Sequence, residues 1–230
     1  GRFNIVKDIA SHEEVSSLKY PYGLISKAQR WFNFKILKNT HVLYEPRALK
    51  KSGDQFLDGY WQSPKYFDDI RDVLLQDMVL AEELGEYGKR IIEQIKNTNS
   101  VSIHVRRGDY IKNPQVLQEF GICSESYYQR ALDRIGQSID NQTYFVFSDD
   151  IDWVKDNLTT GDNVVFVNDP SLTDSAELFI MIQCKHNIIA NSTFSWWAAW
   201  LNQYPEKIVI CPTPWFEGAI YDPSLISESW

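Results

Sequence analysis

Apolar positions recur at three-to-four spacing through the first hundred residues, and short β-branched runs replace them afterwards. From Gly23 to Lys38, the residues Ile25, Ala28, Phe32, Ile36 and Leu37 share roughly one face, which predicts an amphipathic helix. Ser63 followed by Pro64 reads as a helix cap and a first helical position. Asp69 to Leu80 and Leu84 to Ile95 read as two more helices, the second ended by Asn97-Thr98-Asn99.

The second half has a different rhythm. Strands are predicted at Ser100 to Val105, Thr143 to Phe147, Asn163 to Val167, Asn187 to Ala190 and Lys207 to Cys211. Helices are predicted between them at Ser126 to Ile135, Ile151 to Leu158, Asp174 to Lys185 and Ser195 to Asn202. Apolar strands alternating with helices make parallel βαβ units. In such sheets ligands bind at the carboxyl ends of the strands. Polar clusters fall just there: Arg106-Arg107-Gly108-Asp109, Ser148-Asp149-Asp150 and Asn191-Ser192-Thr193. The expected organisation is therefore a mostly helical part over residues 1–98 and a nucleotide-binding-like α/β domain over residues 99–230.

Composition narrows the function. Hydrophobic residues make up 43% of the 230 and charged residues 23%, which suits a folded protein and excludes a disordered or collagen-like chain. The net charge of −8 argues against coating DNA or RNA, since that needs a basic surface. A small anion held by a few converging donors stays open. Cys123, Cys184 and Cys211 are odd in number and widely spaced, so they predict buried free thiols rather than disulfides or a zinc site. There is no apolar run of membrane-spanning length, and the first ten residues lack a signal-peptide pattern, so a cytoplasmic location is expected.

Four constellations carry chemistry. In HVRRGDY, His104 to Tyr110, a buried strand delivers two arginines to a glycine turn, and a guanidinium fork fits phosphate oxygens. The bland reading is a pair of surface salt bridges. In NSTFSWWAAWL, Asn191 to Leu201, hydroxyls and amides sit where a strand gives way to a helix, an anion site or a plain N-cap. Trp196, Trp197 and Trp200 read as core. In FSDDIDW, Phe147 to Trp153, Asp150 and Asp152 have the spacing of a DxD metal motif, but a strand-to-helix turn also favours acidic caps. Asp174 and Glu177 open an apolar helix, where they complement its dipole or read a base. G-x-G-x-x-G, P-loop, G-x-S-x-G and HExxH motifs are absent, which argues against NAD, P-loop, α/β-hydrolase and zincin chemistry.

HVRRGDY, FSDDIDW and CKHNIIANSTFSWWAAWLN in this order, with DGYWQSPKYF ahead of them, resemble the α-1,2-fucosyltransferases of glycosyltransferase family 11. The resemblance runs from about Phe56 to Phe216. It implies a GT-B-like α/β fold of two Rossmann-like lobes, with the C-terminal lobe binding the GDP-sugar. It implies inverting transfer of L-fucose from GDP-β-L-fucose to the 2-hydroxyl of a galactose-terminated oligosaccharide or lipid-linked glycan, with no metal or other cofactor. The setting would be soluble or membrane-peripheral. By position, Arg106 matches the arginine on the donor β-phosphate, and Arg107 supports it or shares the diphosphate. His104 matches a histidine facing the guanine, and Glu177, with Asp174 behind it, matches a guanine-reading carboxylate. Asn191, Ser192, Thr193 and Phe194 match the diphosphate loop. Asp109 is the candidate base, ahead of Glu119. No strand and GGLGNQ-type turn opens the chain, so the front lobe is expected to be incomplete or built differently. Another GDP-sugar transferase, a non-catalytic sugar-nucleotide module and a metal-dependent GT-A enzyme are the alternatives at this point.

Overall fold

The structure is a computed structural model. It describes residues 3–5, 8–35, 44–46, 48–50, 52–57, 61–218, 223–227 and 230, with the backbone alone at 30 and 33–35. The chain divides into two compact units: Gly1–Asn4, Leu74–Ala219 and Ser229–Trp230 form one, Ile5–Val73 and Ile220–Glu228 the other.

The described part of the Ile5–Val73 unit is helical and holds no β-strand. Helix α1, His12–Lys19, starts at a capping box: Ser11 Oγ accepts from the Glu14 amide, and the Glu14 carboxylate accepts from the Ser11 amide. Helix α2, Leu24–Lys35, is the first predicted helix, and the remaining positions 36–38 lie outside the described residues. Ser63 and Pro64 start a single 3₁₀ turn, Pro64–Tyr66, instead of a longer helix. The window predicted as one helix from Asp69 gives the 3₁₀ turn Asp68–Ile70 and then helix α3, Arg71–Asp77. It stops there because the chain turns extended: the Asn4 amide donates to the Val79 carbonyl, and Leu80 bridges to Phe3.

The larger unit carries a five-stranded sheet. Helix α4 is Glu86–Lys96, and strand β1 is Asn99–Val105. Short helices α5 (Gly108–Lys112) and α6 (Pro114–Phe120) follow, a pair that the apolar periodicity does not predict. Then come α7 (Glu125–Ser138), β2 (Gln142–Ser148), α8 (Ile151–Asn157), β3 (Val164–Phe166), α9 (Asp174–Ile182), β4 (His186–Ile188), α10 (Thr193–Leu201) and β5 (Val209–Ile210). The order is β3-β2-β1-β4-β5 and every pairing is parallel. The α/β class with a parallel sheet is thus as expected.

Alternation along β1 explains both layers. Val101, Ile103 and Val105 face α7 and α8, packing on Tyr128, Leu132, Ile135 and Val154. On the other face, Phe145 and Phe147 of β2 pack with Ile91 and Ile95 of α4 and with Ile180 and Met181 of α9. Truncating one such side chain to alanine costs about 2–5 kcal/mol. Because α4 contributes to this core, it belongs to the larger unit, whose main segment runs from Leu74, whereas the sequence reading put the boundary near Asn99.

A buried polar chain pins β1 beside β4. Asn187 Nδ2 donates to Ser102 Oγ at 2.7 Å, and Asn202 Nδ2 donates to Asn187 Oδ1 at 2.8 Å and to the Cys184 carbonyl at 2.7 Å. A slip would leave these amides unpaired, so the network specifies register. The thiols of Cys123, Cys184 and Cys211 are free. Among the described residues no helix is long and apolar enough to cross a membrane.

Candidate functional site

Strand order reverses direction between β1 and β4, and a crevice opens at the carboxyl ends of strands on either side of such a switch. Ile103 pairs with Ile188, so Arg106 and Asn191 each lie three residues beyond matched positions on adjacent strands. Two further contacts join the segments. Tyr110 Oη donates to the Asn191 carbonyl at 3.4 Å, and the His104 and Phe194 rings lie 5.4 Å apart.

Arg106 stands at the end of β1 between two carboxylates. Its Nε is 2.9 Å from Asp109 Oδ1 and its Nη1 is 3.2 Å from Asp149 Oδ2. Burial disfavours the charged guanidinium, and the bonds from Asp109 and Asp149 more than offset this, so its pKa lies above the ordinary value. Arg107 turns the other way. Its guanidinium lies 3.8 Å over the Trp153 ring, and its Nε is 3.4 Å from Asp150 Oδ2. Of the two arginines, Arg106 is the more exposed, and Arg107 is packed against α8.

Asp150 caps α8, accepting from the Trp153 amide, while Asp152 is exposed beside Lys155. The DxD spacing therefore places its two carboxylates in different surroundings. Among the described residues no group of three His, Cys, Asp or Glu side chains is arranged to hold a metal ion.

Ser192 is the N-cap of helix α10, and its side chain makes no capping bond. The first backbone bond of the helix runs from the Trp196 amide to the Ser192 carbonyl. The amides of Thr193, Phe194 and Ser195 precede it and have no partner among the described residues, the free donors of a helix start. Ser192 is buried and Thr193 exposed. Asn191 is buried with its amide committed elsewhere: Nδ2 donates to the Phe120 carbonyl at 2.9 Å and to the Gly121 carbonyl at 3.3 Å. Its side chain ties the β4 end to the α6–α7 turn.

His104 points to the α10 side of the sheet and is 5% exposed, and its Nδ1 has no hydrogen-bond partner among the described residues. Burial, aided by the Arg106 charge and opposed by Asp149, lowers its pKa to about 4, so the ring is neutral near pH 7. Glu177 lies in the first turn of α9 on the same side. Burial, and then the like charge of Asp174, raise its pKa to about 7. Asp174 itself is exposed, and so is Glu119 on α6. Glu177 makes no side-chain hydrogen bond among the described residues.

The structure thus gathers His104, Arg106, Asp109, Ser192, Thr193 and Phe194 around one strand switch. It turns Arg107 toward α8 and Asn191 toward the α6–α7 turn. It also adds residues that the sequence reading did not single out as part of the site: Asp149, Trp153 and Tyr110. Parallel pairing is the signal that finds the first, because Val105 is level with Ser148 and the next residues along are Arg106 and Asp149.

The chain is 39% identical over 163 residues to the alpha-1,2-colitosyltransferase of Escherichia coli, covering 69% of this chain and 55% of that protein. It is 39% identical over 182 residues to the O-antigen biosynthesis glycosyltransferase WbnK of Escherichia coli, covering 76% and 59%. It is 29% identical over 152 residues to the galactoside alpha-(1,2)-fucosyltransferase 2 of Pongo pygmaeus, covering 63% and 44%. The chain therefore spans little more than half the length of the first two. Among solved structures, POFUT1 in complex with GDP aligns with a TM-score of 0.43 and 14% identity over 63% of this chain and 50% of that one. The family described as Glycosyl transferase family 11 matches residues 34–220, and the chain belongs to it.

Proposed function

We propose that this chain is the donor-binding part of an inverting transferase that moves L-fucose from GDP-β-L-fucose to the 2-hydroxyl of a galactose-terminated glycan. The observation that supports this reading is that Arg106 leaves the end of β1 and the unbonded first-turn amides of α10 follow the end of the adjacent strand β4, on the two sides of the β1–β4 switch. A diphosphate is the ligand that a guanidinium and a helix start on adjacent strand ends suit. The neutral His104, whose Nδ1 has no partner among the described residues, and the raised Glu177 lie on the α9–α10 face and suit the nucleobase. The names of the relatives, α-1,2-colitosyl and α-(1,2)-fucosyl transferases, support the linkage.

The acceptor O2 forms the new bond to the anomeric carbon as the bond from that carbon to the β-phosphate oxygen breaks. The acceptor proton passes to a base, and GDP leaves with the electron pair. Negative charge grows on the β-phosphate, where Arg106 and the α10 amides counter it. Asp109, 61% exposed, is the candidate base, although its bond to Arg106 equally fits an orienting role. An Asp109→Asn variant with an unchanged pH–rate profile removes it from that part. The proposal needs no metal, since guanidinium and amides supply the charge; turnover lost in EDTA and restored by a divalent ion refutes this point. A cytoplasmic location is part of the proposal, and cell fractionation tests it.

The test is turnover of GDP-fucose with a panel of galactose-terminated acceptors, in the wild type and in Arg106→Ala. Removing one donor of this kind costs ~2.7–4 kcal/mol, about a hundredfold or more in turnover. We expect that loss with an unchanged circular dichroism spectrum. Near-wild-type turnover in the variant refutes the role. The relative named for colitosyl transfer supports a second reading, in which colitose replaces fucose. Running a nucleotide-linked colitose beside GDP-fucose separates the two.

A further inference from the structure

We infer that Asp149 is the positioning residue that holds Arg106 in its diphosphate-gripping orientation, and that position 108 is glycine so that this carboxylate fits. The inference rests on the diphosphate reading above. Asp149 leaves β2 in step with Arg106 leaving β1, because Ser148 and Val105 are level. Both of its oxygens are engaged. Oδ1 accepts from the Arg107 amide at 2.9 Å, and Oδ2 lies 3.2 Å from Arg106 Nη1.

The two carboxylates on Arg106 differ in kind. Asp109 sits in the first turn of α5 with 61% of its side chain exposed, whereas Asp149 is 26% exposed and fixed to the backbone of the neighbouring strand end. Asp149 is therefore the rigid partner. A guanidinium has five N–H donors. Holding Nε and one Nη1 hydrogen leaves three for a ligand, already oriented, so less side-chain freedom is lost on binding.

Gly108 accounts for the close fit. A Cβ there would lie 2.9 Å from Asp149 Oδ2, the oxygen that meets Arg106. Its φ is outside the left-handed region, so space and not backbone conformation calls for glycine. An alanine would push the carboxylate off the guanidinium.

A carboxylate beside an anion site also repels the anion, so the two effects oppose each other and a measurement decides. GDP and guanosine are titrated by ligand-observed NMR into the wild-type chain, Asp149→Asn and Gly108→Ala. Each variant is expected to bind GDP about tenfold more weakly, the usual size for one charge-assisted hydrogen bond, with guanosine within twofold of wild type. Equal weakening of both ligands, no change in either, or tighter GDP binding in Asp149→Asn overturns the positioning role. A wild type that still prefers GDP over guanosine leaves the diphosphate reading standing in those cases. A wild type without that preference overturns the diphosphate reading and this inference with it. Should Asp149→Asn fail to fold, Gly108→Ala, which keeps the carboxylate, answers by the same ratio.

Discussion

Glu177 and His104 are two titratable groups on the α9–α10 side of the sheet, half-buried and buried, shifted in opposite senses, and each makes its own demand on pH. Burial and Asp174 hold the Glu177 pKa at about 7, above the ordinary carboxyl value of 4.5. The folded state thus keeps this proton after the unfolded chain has lost it. Stability from this group is full below pH 4.5 and falls as pH rises toward 7. Glu177→Gln should therefore melt higher than wild type at pH 8, with the gap closing by pH 5. Melting curves at the two pH values check this, and a gap that is widest at pH 5 contradicts it. If guanine donates to this carboxylate, GDP binding near pH 7 must also release protons, because the ligand favours the charged form. Calorimetry in buffers of different ionisation enthalpy should detect release in wild type and none in Glu177→Gln. For His104, burial sets the opposite slope: the unfolded ring takes a proton first, so stability drops as pH falls from 6.5 toward about 4.

At the scale of elements, the site is two strand ends held level. The ends differ in how they are fastened. The β1 end is fixed by ion pairs that run across to the β2 end, Arg106 to Asp149 and Arg107 to Asp150. The β4 end is fixed by Asn191, whose amide holds the Phe120 and Gly121 carbonyls. Gly121 itself has φ +68°, and a Cβ there would lie 2.6 Å from the Glu217 side chain, so the turn admits only glycine. Asn191→Ala leaves two inward carbonyls without this donor and is expected to cost about 1–3 kcal/mol in a denaturant titration. Because the same residue precedes the α10 amides, turnover should fall further than stability alone accounts for. A variant that loses neither stability nor turnover shows that the anchor is idle. These anchors were not legible in the chain. The order of strands and helices was, because a buried parallel strand announces itself as a continuous apolar run. Whether Arg106 would meet phosphate or a carboxylate depended on β1–β2 register, which no local pattern encodes. Helices α5 and α6 escaped notice for a related reason: each is short and mostly exposed, so neither has an apolar stripe to read.

At the scale of the molecule, the α/β half could be read far better than the rest. Its core is apolar on both faces of one sheet, so periodicity and burial agree. In the Ile5–Val73 unit they do not. Helix α2 has the spacing of an amphipathic helix, yet Leu24 and Ile25 are 82% and 71% exposed. The DGYWQSPKYF block that helped place the family falls partly on residues 58–60, outside the described residues. Acceptor choice accordingly belongs to assay, and the donor side carries the mechanism. The net charge of −8 gives no long-range attraction to a nucleotide diphosphate, so the proposed function requires local recognition, which it assigns to Arg106 and the start of α10. A crystal structure of the chain with GDP tests this claim most directly. The account predicts the β-phosphate within about 3 Å of both the Arg106 guanidinium and a first-turn amide of α10. A diphosphate bound elsewhere, away from Arg106 and the start of α10, contradicts it.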